Sequence, residues 1–404
     1  MVDGDVKVDS GRVIFCGSTK WDLIGRSQVP ISVKSRGGSE RGEEILTPSL
    51  ITMETPKDAF FSGVYSGPCS AHAILIDSDG NAWGIGRNDN GQLAHASLAR
   101  CDAPSQLVLP VAYKSEKIVS ASCGRTHTLM LTDEGNVFAC GSNLEGQLGI
   151  GGALDPDICS LKKVQVTEKI VDISAGGEFS VFVGESGAVY SAGSGQYGQL
   201  GIGKTGERIL TGNKTAFLKQ STPTRVAIFG KQDSDGEVLA KKVACGGNHA
   251  LVLDDNGKVW SWGFGGYGRL GHREPRDVLI PKQIEAFTTR SHIKIDLIAA
   301  GNSASFASQS SSKTLWMWGI TKKTGESNMY PKPIYDLQGW TTRSIACGIS
   351  STVVAADETV ISWGPSPAFG ELGYGEKGSK SNTKPQKMDA LDGSHVYQVA
   401  MGQC

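Results

Sequence analysis

Apolar residues in this chain come in short runs cut by glycine, not at the 3.6-residue spacing of an amphipathic helix. Ala73-Ile74-Leu75-Ile76, the pair Asp79-Gly80, then Asn81-Ala82-Trp83 set the plan: strand, tight turn, strand. Glu134-Gly135, Ser186-Gly187, Asn256-Gly257 and Ser10-Gly11 stand where the same turn is expected, since glycine tolerates a positive φ there. A further strand, often near a proline (Pro104, Pro223, Pro281, Pro385), closes each unit.

Two signatures alternate around these strands. In the first, a small-residue strand ends in glycine and is followed three residues later by histidine. Cys123-Gly124-Arg125-Thr126-His127 and Cys245-Gly246-Gly247-Asn248-His249 are the clearest copies, and His72 holds the slot in Cys69-Ser70-Ala71-His72. Phe179, Ala304 and Ser351 hold it in weaker copies, and Ala400-Met401-Gly402 begins a seventh. The second signature is a strand-ending glycine with a glycine loop five residues on: Gly86 to Gly91-Gln92-Leu93, Gly141 to Gly146-Gln147-Leu148-Gly149, Gly193 to Gly198-Gln199-Leu200-Gly201, and Gly263 to Gly268-Arg269-Leu270-Gly271. Gly364 leads to Gly370-Glu371-Leu372-Gly373 with one residue inserted, Gly17 leads to Ile24-Gly25, and Gly319 heads a degraded copy ending in Gly325-Glu326-Ser327.

Seven copies of a four-strand unit imply an all-β fold, a seven-bladed β-propeller, in which radial repetition protects the strand edges. The blades fall near 57–111, 112–168, 169–230, 231–288, 289–337 and 338–392, with 393–404 and 1–56 sharing a composite blade that closes the ring. In that blade 396–401 is the first strand and 10–17 corresponds to the third. Either residues 2–8 supply the second, with Val6-Lys7-Val8 leading into the turn, or it is missing. Leading glycines lie 45 to 56 residues apart, except for spacings of 69 (Gly17 to Gly86) and 70 (Gly193 to Gly263), which locate loop insertions at 27–58 and 201–222.

Composition narrows the function. Forty basic against 41 acidic residues give a net charge of −1, which disfavours nucleic-acid binding by the surface as a whole. No apolar stretch reaches the ~18 residues of a membrane helix, and the acidic start, with Asp3, Asp5 and Asp9, is unlike a signal peptide. The nine cysteines lack Cys-x-x-Cys spacing; Cys16, Cys123, Cys140, Cys245 and Cys347 read as reduced core residues of a cytosolic or nuclear protein, so Asn213-Lys214-Thr215 is a chance glycosylation match.

Chemistry is scarce. Gly198-Gln199-Leu200-Gly201-Ile202-Gly203-Lys204-Thr205 matches the phosphate-cradling loop, but Gly198 and Gly201 are repeat glycines, and Gly206 and Gly212 oppose a following helix. His72, His127 and His249 recur one per blade, which spreads them around a ring instead of converging them on a metal. Neither a nucleophilic triad nor a carboxylate pair is visible. The expectation is no enzyme, no metal and no cofactor.

The glycine loops and the Cys-Gly-x-x-His pattern resemble the regulator of chromosome condensation repeat over essentially the whole chain. Trp21-Asp22-Leu23-Ile24-Gly25-Arg26, Arg225-Val226-Ala227-Ile228-Phe229 and Ser362-Trp363-Gly364-Pro365-Ser366-Pro367 are similar to its second branch, that of a chromosomal passenger. The ultraviolet-sensing branch carries Gly-Trp-Arg-His-Thr pentads, whereas Gly124-Arg125-Thr126-His127-Thr128 lacks the tryptophan. The resemblance implies a monomeric regulator of small GTPases of the Rac, Ral and Arf kind, in nucleus and cytoplasm, acting at chromosomes, centromere and spindle midzone in mitosis. The alternative is a scaffold on chromatin or microtubules without exchange activity. The family's basic N-terminal extension is absent from this sequence, and the histidine-bearing strand expected after Gly402 is not reached.

Functional expectation centres on 201–222, where Lys204, Arg208, Lys214 and Lys219 face a single acid, Glu207, with Ile209, Leu210 and Phe217 interleaved. A rigid scaffold carries its binding residues on such insertions. An acidic partner would be steered by the four cations and anchored by Leu210 or Phe217.

Overall fold

Six antiparallel four-stranded sheets follow one another along the chain, at 61–107, 118–163, 170–226, 240–283, 297–333 and 342–387. The computed structural model describes residues 11–35, 42–51, 60–230, 232–233, 236–288, 293–320, 327–364, 369–379 and 382–403. Gly325 and Glu326, residues 365–367 and the option that 2–8 form a strand lie outside them. In each sheet the strands run in chain order, the sequence's strand–turn–strand plan repeated. The second sheet, with Ile118–Cys123, His127–Thr132, Val137–Gly141 and Ile158–Lys163, is typical.

The core is distributed between sheets. Each large apolar cluster draws on two neighbours: Met130 and Phe138 of the second sheet pack with Ile74 and Leu107 of the first, and Phe182 and Ala192 of the third pack with Leu129 and Leu148 of the second. This explains why the second strands have no polar face: every residue of His127–Thr132, Phe179–Gly184 and His249–Asp254 is buried. Main-chain bonds tie the sheets as well. The carbonyls of turn glycines Gly80, Gly135 and Gly187 accept from Ile118, Ile170 and Ala240 of the following sheet, at 2.9, 3.0 and 3.0 Å. First strands of all six sheets and residues 398–401 meet around a cavity of about 190 Å³, so the array is a β-propeller with four-stranded blades about a narrow axis.

The structure departs from the sequence reading at the chain ends. A seventh four-stranded sheet is not present among the described residues. Instead, among the described residues, β1 (Ile14–Ser18) pairs with β2 (Glu44–Leu50) alone, which lies inside the segment read as an insertion at 27–58. Residues 27–58 are therefore not simply a loop: they also hold a short helix, Ile31–Lys34, with Val33 buried. Residues 396–401, expected to be a first strand, have no strand ladder. They are held by side chains and loop groups instead: Val399 N–H donates to Ser344 Oγ (3.1 Å), Arg343 Nε to the Val396 carbonyl (3.0 Å) and Val64 N–H to Gln398 Oε1 (3.1 Å). A first strand pairs only with a second, and no second strand is described here. Gly11 has no positive φ, but its carbonyl accepts from Phe61 N–H (2.9 Å) as the turn glycines' carbonyls accept from the following sheets, and its own N–H donates back to the Phe61 carbonyl (2.9 Å); Ser10 lies outside the described residues.

Candidate functional site

The histidines and the glycine loops, read separately in sequence, meet in space at the sheet boundaries. His72 Nε2 lies 2.8 Å from Thr128 Oγ1 of the next sheet, and that hydroxyl donates to the carbonyl of Gln92 (2.7 Å) in the first sheet's glycine loop. The relay recurs as His127, Ser180 and Gln147 (3.0 and 2.6 Å), and as His249, Ser305 and Arg269 (2.9 and 2.8 Å). With its proton committed to the carbonyl, each hydroxyl accepts from the imidazole, which fixes the Nε2–H tautomer. Burial holds His72 and His127 neutral, pushing both down to about 3 and His249 well below its ordinary value. These are joints between blades, each histidine at a different sheet boundary. Among the described residues no group of three histidines, cysteines or acids could hold a metal ion.

The joint between the third and fourth sheets is built differently. Phe179 replaces the histidine and Ala250 the hydroxyl, and Trp262 Nε1–H caps the Gln199 carbonyl at 2.8 Å. In the loops themselves, glutamine side chains staple the turn: Gln147 Oε1 accepts from Glu145 N–H and Gln199 Oε1 from Tyr197 N–H (2.9 and 2.7 Å). Gly91, Gly146, Gly198, Gly268 and Gly370 all have left-handed φ, from +73° to +84°. Gly146 also sits so close to the next sheet that a Cβ would lie 2.6 Å from the Gln220 carbonyl oxygen.

The segment that imitates a phosphate loop runs from Gly198 to Thr205 and continues into a strand, not a helix. That strand, Arg208–Leu210, pairs with Lys214–Ala216 in a hairpin of its own. Turn residues Gly212 and Asn213 take φ of +78° and +57°. The stem is clasped where Leu218 N–H donates to the Thr205 carbonyl (2.8 Å) and Leu218 packs on the core between the third and fourth sheets. Outside that clasp the hairpin leaves the body of the fold.

The hairpin sorts the residues singled out from sequence. Lys204, Arg208 and Lys214 are exposed. Leu210 is 46% exposed and Ile209 78%, so Ile209 is the most prominent apolar group, a rank its sequence position did not reveal. Phe217 is half-buried at the base. Lys219 belongs to the third sheet's last strand, where its Nζ is held 2.6 Å from Glu145 Oε1 and 3.0 Å from the Leu144 carbonyl.

Cysteine chemistry is muted. Cys123, Cys140, Cys245 and Cys347 are buried free thiols, and burial pushes Cys140, Cys245 and Cys347 up to about 12, away from nucleophilic or metal-binding thiolate.

Comparison with known proteins fits this architecture. The RCC1-like domain family matches over residues 6–323 and again over 112–404. The Protein RCC2 homolog of Danio rerio is 44% identical over 399 residues, covering 97% of this chain and 79% of that protein. Protein RCC2 of Homo sapiens is 42% identical over 404 residues, covering 97% and 74%. Among solved structures, yeast RCC1 (Prp20) bound to Kap60 superposes with a TM-score of 0.75 at 20% identity, covering 98% of this chain and 88% of that one. A second structure of Prp20p from Saccharomyces cerevisiae, described with its binding properties to Gsp1p and histones, gives 0.69 at 19% identity, covering 94% and 86%.

Proposed function

We propose, since this chain belongs to the RCC1-like domain family, that it is a partner-binding propeller which regulates a small GTPase of the Rac, Ral or Arf kind and serves as a scaffold at chromosomes and spindle in mitosis. The observation that carries this reading is the hairpin formed by Arg208–Leu210 and Lys214–Ala216. It projects from a rigid body and presents three cations around Ile209 and Leu210. Cations set at a distance speed encounter with an acidic surface, while a desolvated aliphatic pair slows departure. A two-stranded ribbon is only marginally ordered by itself. It can therefore adapt as it wedges into a partner and shift that partner toward its nucleotide-free state.

The same reading takes β1, β2 and residues 393–403 as a seventh unit that completes the ring. Two similarities support it. Gly370 packs against Leu46 of β2 as Gly146 packs against Gln220 of the following sheet. Val396, Val399 and Met401 pack on Val353, Val360 and Met388 of the sixth sheet, as each blade packs on its neighbour.

The test is release of fluorescent GDP from purified Rac, Ral, Arf and Ran proteins. Acceleration of at least about tenfold for one of them is expected, and K204E/R208E/K214E should abolish it. If no GTPase responds yet nucleosomes or microtubules bind and the triple variant does not, the chain is the non-exchanging scaffold. Prp20p's binding to histones lends that alternative its support.

A further inference from the structure

The fourth sheet's glycine loop departs from its counterparts at one residue. In four loops an acceptor side chain staples the turn: Gln92, Gln147, Gln199 and Glu371 take the N–H of Asn90, Glu145, Tyr197 and Phe369 at 2.7 to 2.9 Å. Position 269 is arginine, whose guanidinium has only donors and cannot make that bond. Its Nε donates instead to the Gly266 carbonyl (2.9 Å), and Tyr267 takes a left-handed φ of +61° that none of the four stapled residues has. Bulky side chains avoid that region. The exchange leaves Tyr267 56% exposed, whereas Tyr197 is half-buried against Phe264, with ring centroids 4.9 Å apart.

Arg269 itself is only 4% exposed. Its guanidinium carbon lies 4.7 Å from the Phe264 ring centroid and 5.8 Å from that of Tyr267, and Nη1 donates to the Asn302 carbonyl (2.9 Å). Among the described residues Nη2 makes no hydrogen bond and no carboxylate pairs with the group. The acids of this loop are engaged elsewhere: Asp277 accepts from Gly265 N–H (2.8 Å), and Glu274 pairs with Arg276 (3.3 Å). A tie between neighbouring loops accounts for Nε and Nη1, but not for a tyrosine projected at an unfavourable φ. We propose that Tyr267 and Arg269 form an anchoring point for an acidic polypeptide, whose carboxylate takes the remaining edge of the guanidinium while its neighbouring side chain packs on the Tyr267 ring.

A guanidinium taken out of water without a counter-charge is costly, and a carboxylate matched to its planar fork recovers that cost. Tyrosine and arginine are also the side chains that most often concentrate binding energy at an interface. The surroundings suit an acidic partner. Arg273 and Arg276 are exposed on the same loop. Ile280, 51% exposed, follows Leu279, whose carbonyl accepts from Gly203 N–H (2.9 Å) at the base of the hairpin. The inference rests on the proposed function only in taking the hairpin's end of the propeller as the binding face. It adds a second contact there and does not depend on the partner being a GTPase.

The probe is a fluorescein-labelled peptide, Glu-Glu-Glu-Leu-Glu-Glu-Glu, titrated into the full 404-residue chain at low salt and followed by anisotropy. Saturable binding is expected. Arg269→Gln, which installs the residue of three other loops, should keep the melting temperature and weaken the peptide at least about fivefold. Arg276→Gln removes the same charge from a side chain 82% exposed, and should weaken it less than about twofold. Tyr267→Ala should match Arg269→Gln, and decides alone if the arginine variant melts early. Nitration of Tyr267 by tetranitromethane, read by peptide mapping, should slow severalfold in Arg269→Gln as the restored staple takes up the Tyr267 N–H. No saturable binding, or equal weakening by the two arginine variants, overturns the anchor. Binding confined to a phosphoserine version of the peptide overturns it as well, by making the group a phosphate site. An unchanged nitration rate refutes the role of Arg269 in projecting Tyr267. Peptide binding as expected while no GTPase releases GDP would end the exchange reading and leave the anchor standing.

Discussion

The boundary between the second and third sheets and the boundary between β1 and the first sheet solve one problem with different chemistry. At the former, the loop carbonyl of Gln147 is capped by a hydroxyl that a neutral imidazole supports, and every strand has its partners. At the latter, guanidinium groups do the work. Arg87 donates to the carbonyls of Trp21 (2.8 Å) and Ile24, Arg100 Nη1 lies 2.8 Å from the buried Asp22, and Arg26 pairs with Asp89. Ile24 is nonetheless buried like Leu148, so the loop keeps its apolar plug while its polar contacts change. The repeated boundary keeps its ion pairs, Lys219 with Glu145 and Arg125 with Glu178, at solvent-accessible positions and caps its buried carbonyl with neutral groups. Beside β1 the charged groups are buried instead, Asp22 fully and Arg87 to 6% exposure.

The sharpest way to break this comparison is to remove 393–404, which strips Val396, Val399 and Met401 from the sixth sheet and leaves Val353, Val360 and Met388 bare. A loss on the order of 5 kcal/mol, several degrees in melting temperature, is expected. A chain that melts as before would place ring closure elsewhere. Next in size is a pair of glycine substitutions. Gly146→Ala forces a left-handed alanine whose Cβ would lie 2.6 Å from a main-chain oxygen, and should cost about 3 kcal/mol. Gly370→Ala meets Leu46 Cδ2 at 2.7 Å, the yielding end of a side chain, and should cost about half as much. Equal losses in denaturant titrations would mean that the β2 boundary is packed as rigidly as the repeated ones.

A last effect concerns acid. His127 titrates at about 3 when folded against an ordinary value of 6.5, so below pH 6.5 the unfolded chain takes up a proton that the folded one refuses. Stability therefore falls as pH drops through the window from 6.5 toward 3, by about 2 kcal/mol per such histidine between pH 7 and pH 5. His127→Phe, the residue type that Phe179 already provides, should flatten that decline by one histidine's share. An unchanged slope would show that the carboxylates dominate the acid limb.

Sequence revealed the repeat because its markers are local. A glycine at positive φ, or a histidine three residues past a strand end, needs no knowledge of what lies across the boundary. What escaped was long-range. β2 hid in Glu44–Leu50, which carries Ile45, Leu46 and Leu50 and a proline, Pro48, like the closing strands elsewhere, but has no fully buried position and sits in the long spacing read as an insertion. Of the four cations, Lys219 is taken by Glu145, 74 residues away in sequence. Of the two expected anchors, Leu210 is exposed on the hairpin but Phe217 is half-buried at its base, beside the clasp at Leu218, and Ile209 stands out furthest. The imidazole–hydroxyl relay was half legible: the histidines recurred visibly, while Thr128, Ser180 and Ser305 gave no signal until the blades were set side by side.

The Phe179 boundary has a consequence for how such a sequence can change. Capping by imidazole with hydroxyl and capping by indole are two stable answers, but the residues that compose each lie on two blades, at Phe179 and at Ala250 with Trp262. Conversion at His127 thus requires a change at Ser180 and a new donor on the third strand of that sheet. Each step taken alone leaves a donor or acceptor of the relay with one partner fewer. Substitutions across a boundary are consequently non-additive, and a double change should restore what either single change removes. Such a propeller accumulates differences by boundary, not by residue, and adjoining blades diverge as a linked pair.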